Sequence, residues 1–135
     1  EPGHILVFFE KKVKLPFDVK ARVLETLEAE KARGTALNIV FTDDKFIRKI
    51  NAQYRAKNRA TDVITFENAG VGDIYISVDT AKKNAAAYGA KLHEEIARLI
   101  VHGVLHALGY DHVKPRDAAK MARRALRHEK LFLHA

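Results

Sequence analysis

Three of the chain's seven histidines fall within eleven residues, His102-Gly103-Val104-Leu105-His106-Ala107-Leu108-Gly109-Tyr110-Asp111-His112. Four residues apart, His102 and His106 lie one turn above the other on a single helix face. Gly109 supplies an αL residue that ends a helix and lets the chain fold back, which would carry His112 to the same side. Three imidazoles converging on one point leave the fourth position of a tetrahedral ion open, the arrangement of a catalytic rather than a structural zinc. Nickel, iron and copper also accept imidazole, so ligand type alone does not single out zinc. The chain has no cysteine, which excludes both a disulfide framework and thiolate ligation.

The metzincin proteases share this ligand spacing and the glycine, in H-E-x-x-H-x-x-G-x-x-H, where the glutamate is the general base. Here Gly103 stands in the glutamate's place, so the metal scaffold is present without the peptidase base. A glycine inside a helix costs about 1 kcal/mol relative to alanine; its presence predicts that another backbone or a substrate passes close by. Two carboxylates are candidates to orient a ligand imidazole or carry a proton: Asp111, beside His112, and Glu95, two turns before His102 on the same face. The plainer alternatives are a turn cap for Asp111 and an ion pair with Arg98 for Glu95.

At 135 residues the chain suits a single domain over residues 1–135, large enough to bury a core without staples. The net charge of +7 favours polyanions as partners, nucleic acid first among them. No apolar run nears the roughly 20 residues needed to cross a bilayer, and no charged segment leads into an apolar one as in a signal peptide. Membrane attachment is not expected. The stretch 55–61 carries Arg55, Lys57 and Arg59 without apolar periodicity and reads as a basic loop. Its arginine could simply complement the preceding helix dipole, or it could fork onto a phosphate and stabilise charge developing there, with Lys57 and Arg59 extending the patch.

Periodicity supplies the rest of the frame. Residues 4–9 read as a buried strand, and Asp18 caps a helix that Gly34 closes. Leu37, Ile39 and Phe41 alternate as a second strand. Asp43 or Asp44 caps a helix to about Arg55, with an apolar stripe of Phe46, Ile47, Ile50 and Tyr54. Residues 63–66 form a third strand, and Ile74, Ile76 and Val78 a fourth, joined by a short turn as an antiparallel hairpin. Asp79 or Thr80 begins a helix that stops near Gly89. A longer helix from about Leu92 to Leu108 carries the first two histidines. Pro115 starts the last, which continues through Met121, Leu126 and Leu131. Strands first and helices after predict an α+β fold, helices flanking a small four-stranded mixed sheet, with the three-histidine metal site on a helix and the turn after it.

Four blocks, taken in order, resemble the YbeY family of metal-dependent endoribonucleases: Asn51-Ala52-Gln53-Tyr54-Arg55; Thr61-Asp62-Val63-Ile64-Thr65-Phe66; Gly72-Asp73-Ile74; and Glu95 with His102 to His112. The family pattern is close to N-x-x-Y-R-x-x-x-x-P-T-D-V-L-S-F, G-D-I and H-G-x-L-H-L-x-G-Y-D-H. The resemblance implies a zinc on His102, His106 and His112, an essential Arg55, and single-stranded RNA as substrate. It further implies a cytoplasmic location and work on ribosomal RNA, at the 3′ end of the 16S molecule, with small-subunit components as partners and a part in ribosome quality control. The chain departs from the pattern at Ala60, where the family has proline, at Thr65 for serine, and at Ala107 for leucine, which should trim packing behind the metal helix. No departure removes a ligand.

Two other classes remain open on sequence grounds. An RNA- or ribosome-binding module with a structural or vestigial metal would show a solvent-closed site and indifference to chelation. A metallohydrolase of another substrate class, such as a peptidase, is disfavoured by Gly103.

Overall fold

The computed structural model describes residues 3–110 and 115–134. Asp111 and His112, on which part of the metal site and one candidate proton carrier rest, lie outside the described residues, as does the whole segment 111–114. The elements run β1 (Ile5–Phe9), α1 (Val19–Ala29), β2 (Ala36–Thr42), α2 (Asp44–Arg55), β3 (Val63–Asn68), β4 (Val71–Ser77), α3 (Val78–Tyr88), α4 (Leu92–Ala107) and α5 (Pro115–His134).

The sheet has the four strands, mixed, that the sequence predicts. Their order is β1-β2-β4-β3, parallel at β1–β2 and β2–β4 and antiparallel at β3–β4. The β3–β4 hairpin turns on Ala69 and Gly70, both at positive φ (52° and 81°), the two-residue geometry whose twist matches that of the strands. One sheet face carries Ile5, Leu37, Ile39, Phe41, Ile74 and Ile76 into the main core against α4. The opposite face, near β3 and β4, receives Ile47 and Ile50 of α2 over Ile64. With Ile96, Ala97, Leu99, Ile100, Val101, Val104 and Leu105 all buried, α4 runs through the centre of the molecule, which fixes the position of anything it presents at its C-terminal turn.

Several sequence expectations shift. The first strand is only partly buried: Ile5 is buried and Val7 packs against the core, while Leu6, Phe8 and Phe9 are about half exposed, because β1 is an edge strand. Helix α1 stops at Ala29, well before Gly34; Lys31 takes the αL position at φ 57°, and the amides of Lys31 and Ala32 bond back to Glu28 and Leu27, a Schellman end without glycine. Val78 is the first residue of α3 rather than the last of β4, because Ser77 caps the helix by accepting from the Thr80 amide. In α5 the inward residues are Met121, Ala125, His128 and Phe132, leaving Leu126 and Leu131 at the surface; Phe132 meets Phe17 edge-on at 5.0 Å.

Candidate active site

Helix α4 ends as its sequence demands. Gly109 sits at φ 95°, its amide bonds to the His106 carbonyl, and the Tyr110 amide bonds to the Leu105 carbonyl, the two bonds of a Schellman motif. Tyr110 is then anchored by its hydroxyl, which donates to Glu30 Oε1 at 2.6 Å. The chain is therefore anchored as it leaves α4, through Tyr110.

His102 and His106 lie one turn apart on α4, both half-buried. His106 lines a cleft of about 780 Å³ together with Arg55, Asp62, Thr65 and Phe66. Burial lowers the pKa of His102, and the neighbouring Arg98 and His106 lower it further against the opposing pull of Asp62 and Glu95. The imidazole is thereby kept neutral, the form that binds a metal. Among the described residues no group of three His, Asp or Glu side chains could hold a metal ion; two neutral imidazoles one turn apart are donors of the type zinc takes, and of the two only His106 lines the cleft.

Gly103 is explained by what lies beneath it. A Cβ there would stand 2.6 Å from Ile74 Cγ2 on β4, so the close neighbour is a strand side chain, neither a backbone nor a substrate. The Thr65 hydroxyl, on β3, also reaches the Gly103 carbonyl at 3.4 Å. Position 103 thus faces the sheet, and a glutamate there would enter the core. A peptidase base has no room at this position.

Arg55 is exposed at the last turn of α2, which ends because Ala56 takes the αL conformation at φ 54°. Its guanidinium lies over the Phe66 ring at 5.8 Å, so the side chain is directed to the cleft wall. Lys57 and Arg59 are exposed on the following loop. Arg59 lines a neighbouring depression with Lys45 and Arg48 rather than the cleft of His106. The loop is tied down by Asn51, which is buried and whose side-chain amide donates to the Arg59 carbonyl at 3.0 Å.

Glu95 is 3% exposed, and both its oxygens are taken. Arg98 Nε donates to Oε1 and Arg98 NH2 to Oε2, each at 2.7 Å, while Asn84 Nδ2 donates to Oε2 at 2.9 Å. Burial alone would raise the carboxyl pKa, but these bonds and the Arg98 charge together hold it below the ordinary value. Its action on His102 is therefore electrostatic. The same Asn84 nitrogen reaches Asp62 Oδ2 at 3.2 Å, and Arg98 lies 3.6 Å from that oxygen. Asp62, Asn84, Glu95 and Arg98 so form a closed ring joining the start of β3, α3 and α4 beside His102. Sequence reasoning did not single out Asp62 or Asn84 as site residues; the Thr61-Asp62-Val63 block was the available signal for the first, and an alanine-rich helix gave none for the second. Ala107 packs against the main core and also lines the cleft, its Cβ 3.2 Å from where a Gly72 Cβ would stand, so a small residue here bears on the cleft wall as well as on packing behind the helix.

The chain is similar to known proteins over most of its length. A family model described as Endoribonuclease YbeY matches residues 8–131. A protein of Aquifex aeolicus named Endoribonuclease YbeY is 43% identical over 130 residues, covering 91% of this chain and 87% of that protein. A Myxococcus xanthus protein of the same name is 43% identical over 99 residues, 66% of this chain; the match spans only 34% of that longer protein. The solution structure of a Thermotoga maritima protein superposes with a TM-score of 0.72 at 26% identity, covering 93% of this chain and 87% of the other. Among the described residues no helix is long and apolar enough to cross a membrane.

Proposed function

The chain belongs to the endoribonuclease YbeY family, and from that membership we propose that it is an RNA-cleaving hydrolase acting on single-stranded RNA in the cleft between Arg55 and the α4 histidines. The observation that carries the reading is that one cleft collects Arg55 from α2 and His106 from α4, elements far apart in sequence. Arg55 would fork onto the scissile phosphate and neutralise the charge that grows on it. Phe66 beneath the guanidinium limits where that fork can point.

His102, His106 and His112 would hold a zinc ion. The chemistry such an ion supplies is Lewis-acid stabilisation of charge on a phosphoryl oxygen. Glu95, fixed by Arg98 and Asn84, keeps a negative charge near His102 without taking its proton, and Asp111 is the candidate to move a proton beside His112. Lys57 and Arg59 would contact the RNA backbone outside the cleft. The cellular substrate we assign is ribosomal RNA of the small subunit, at the 3′ end of the 16S molecule, in the cytoplasm, with a part in ribosome quality control.

Elemental analysis of the purified protein, paired with cleavage of single-stranded RNA before and after chelation, tests this. About one zinc per chain and chelator-sensitive cleavage are expected. Metal-free protein that cleaves at full rate would overturn the zinc assignment. The product ends separate two routes: a 2′,3′-cyclic phosphate marks attack by the RNA 2′-hydroxyl, and a 5′-phosphate with a 3′-hydroxyl marks attack by water.

A further inference from the structure

The apolar stripe of α2 contains two residues that do not behave as core. Ile47 and Ile50 are buried, but Phe46 is 44% and Tyr54 64% exposed. Both rings reach the outer face of the β3–β4 hairpin. Tyr54 lies 5.2 Å from Phe66, Phe66 lies 6.4 Å from Tyr75, and Tyr75 lies 6.0 Å from Phe46, with interplanar angles between 47° and 64°. Four aromatic rings thus run in a line, Phe46 and Tyr54 exposed and Phe66 and Tyr75 half-buried between them against Ile47, Ile50 and Ile64, tilted so that no two are stacked face to face. Phe66, next to the Tyr54 end, forms part of the cleft wall with Arg55 and His106.

The charge on the helix and loop beside this line is one-sided. From Lys45 to Thr61 the chain carries Lys45, Arg48, Lys49, Arg55, Lys57 and Arg59 and no carboxylate. Three carboxylates stand near the line: Asp73, which pairs across the strands with Phe66 and accepts from Asn38 Nδ2 at 2.9 Å; Glu67, exposed on β3 and lining the cleft; and Asp44, which is taken up by Ser77, Thr80 and Lys83. An apolar protein partner would not call for six cations beside the rings. A single-stranded polyanion with free π-faces calls for both: cations that track phosphates and rings on which bases stack.

We propose that Tyr54, Phe66, Tyr75 and Phe46 form a base-stacking platform that receives the nucleotides of single-stranded RNA flanking the scissile phosphate, with Tyr54 as its most exposed ring. This rests on the endoribonuclease reading and adds to it how the substrate is held and why paired RNA is rejected. Bases in a duplex stack on each other and cannot lie on the rings.

The test uses the whole chain and a 2′-O-methyl oligoribonucleotide carrying one 2-aminopurine, shown intact on a denaturing gel after each titration, with fluorescence anisotropy reporting binding and 2-aminopurine quenching reporting stacking. The chain has no tryptophan, which leaves the probe signal clean. Wild type and Tyr54→Phe are expected to bind and quench alike, whereas Tyr54→Leu should bind about five- to hundredfold more weakly, the loss of one stacked base, and should not quench. On cleavable RNA the same change should raise KM more than it lowers kcat. Phe46→Leu provides a second variant at the far end of the line, with a smaller loss in the same direction. Quenching and affinity in Tyr54→Leu equal to wild type, with RNA still bound and cut, would overturn the platform and leave the endoribonuclease reading intact. Equal affinity for double-stranded RNA would also overturn it. Wild-type protein that binds no single-stranded RNA would overturn both.

Discussion

Gly103 of α4 lies directly over Ile74 of β4, so close that an added Cβ would stand 2.6 Å from Ile74 Cγ2. Ile74 is fully buried and β-branched, with little rotamer freedom to yield. The helix gains about 1 kcal/mol when glycine becomes alanine, but forced overpacking costs typically 1–3 kcal/mol. Gly103→Ala is therefore expected to lower stability by about 1 kcal/mol in urea titration. Combining it with Ile74→Ala should cost less than the two single effects added, because the second change removes the clashing methyl. Strict additivity would mean that the helix–strand contact does not set the position of His102.

Arg98 and Glu95 are unequal partners. The carboxylate is 3% exposed and the guanidinium 33%. Arg98→Ala leaves a buried charge with only Asn84 to serve it, whereas Glu95→Gln leaves an arginine that can reach water. Removing one member of a buried pair costs about 3–5 kcal/mol, and we expect Arg98→Ala to approach that range and Glu95→Gln to fall well below it. Thermal unfolding of the two variants gives the comparison.

Glu30 ties the turn after α4 to the last helix. Its carboxylate accepts from Tyr110, from Arg124 at 2.6 and 2.9 Å, and meets His128 Nε2 at 2.5 Å. Burial alone would raise its pKa, yet these bonds hold it below the ordinary 4.5. Between the folded and unfolded values the unfolded chain binds more protons, so stability rises with pH across that window. The contribution of Glu30 is complete above the unfolded value of 4.5 and is lost as pH falls through the lower folded value. Urea midpoints of wild type and Glu30→Gln should differ most near neutrality and converge in acid. A constant difference would contradict the account. Because Tyr110 directly precedes Asp111 and His112, Glu30→Gln should also weaken zinc retention against a competing chelator.

Arg55 can be changed with little harm to the fold. It is exposed, and its contact with Phe66 is worth about 0.5–1 kcal/mol. If it stabilises charge on the phosphate, Arg55→Ala should lower kcat/KM by about 10²–10³-fold, the scale of one lost transition-state donor. Arg55→Lys should recover only part of this, since an ammonium cannot reproduce the fork. Single-turnover cleavage with stability measured in parallel separates the two effects.

The sequence carried the α4 ending as far as Tyr110, because Gly109 and the four-residue histidine spacing are local signals that tertiary contacts had no reason to override. It also carried the β3–β4 hairpin through Ala69-Gly70 and the caps at Asp18 and Asp43. It misread β1 as buried, because five apolar residues in a row look alike on a central strand and an edge strand, and only the pairing order tells them apart. The end of α1 was placed at Gly34 because the αL residue there is a lysine, for which no local rule exists. In the site, the Asp62–Asn84–Glu95–Arg98 ring was invisible: its members are spread over three elements, and only folding puts Asn84 between two carboxylates. The exposed edge of the α2 stripe was hidden for the opposite reason. Phe46 and Tyr54 fit helical periodicity as well as Ile47 and Ile50 do, and periodicity cannot say where the sheet ends.

The cleft as a place of RNA cleavage stands or falls with His106. End-labelled single-stranded RNA incubated under single-turnover conditions with His106→Ala, its affinity for the same RNA measured alongside, should show binding near that of wild type and no cleavage above background. Cleavage by His106→Ala at the wild-type rate would contradict the account.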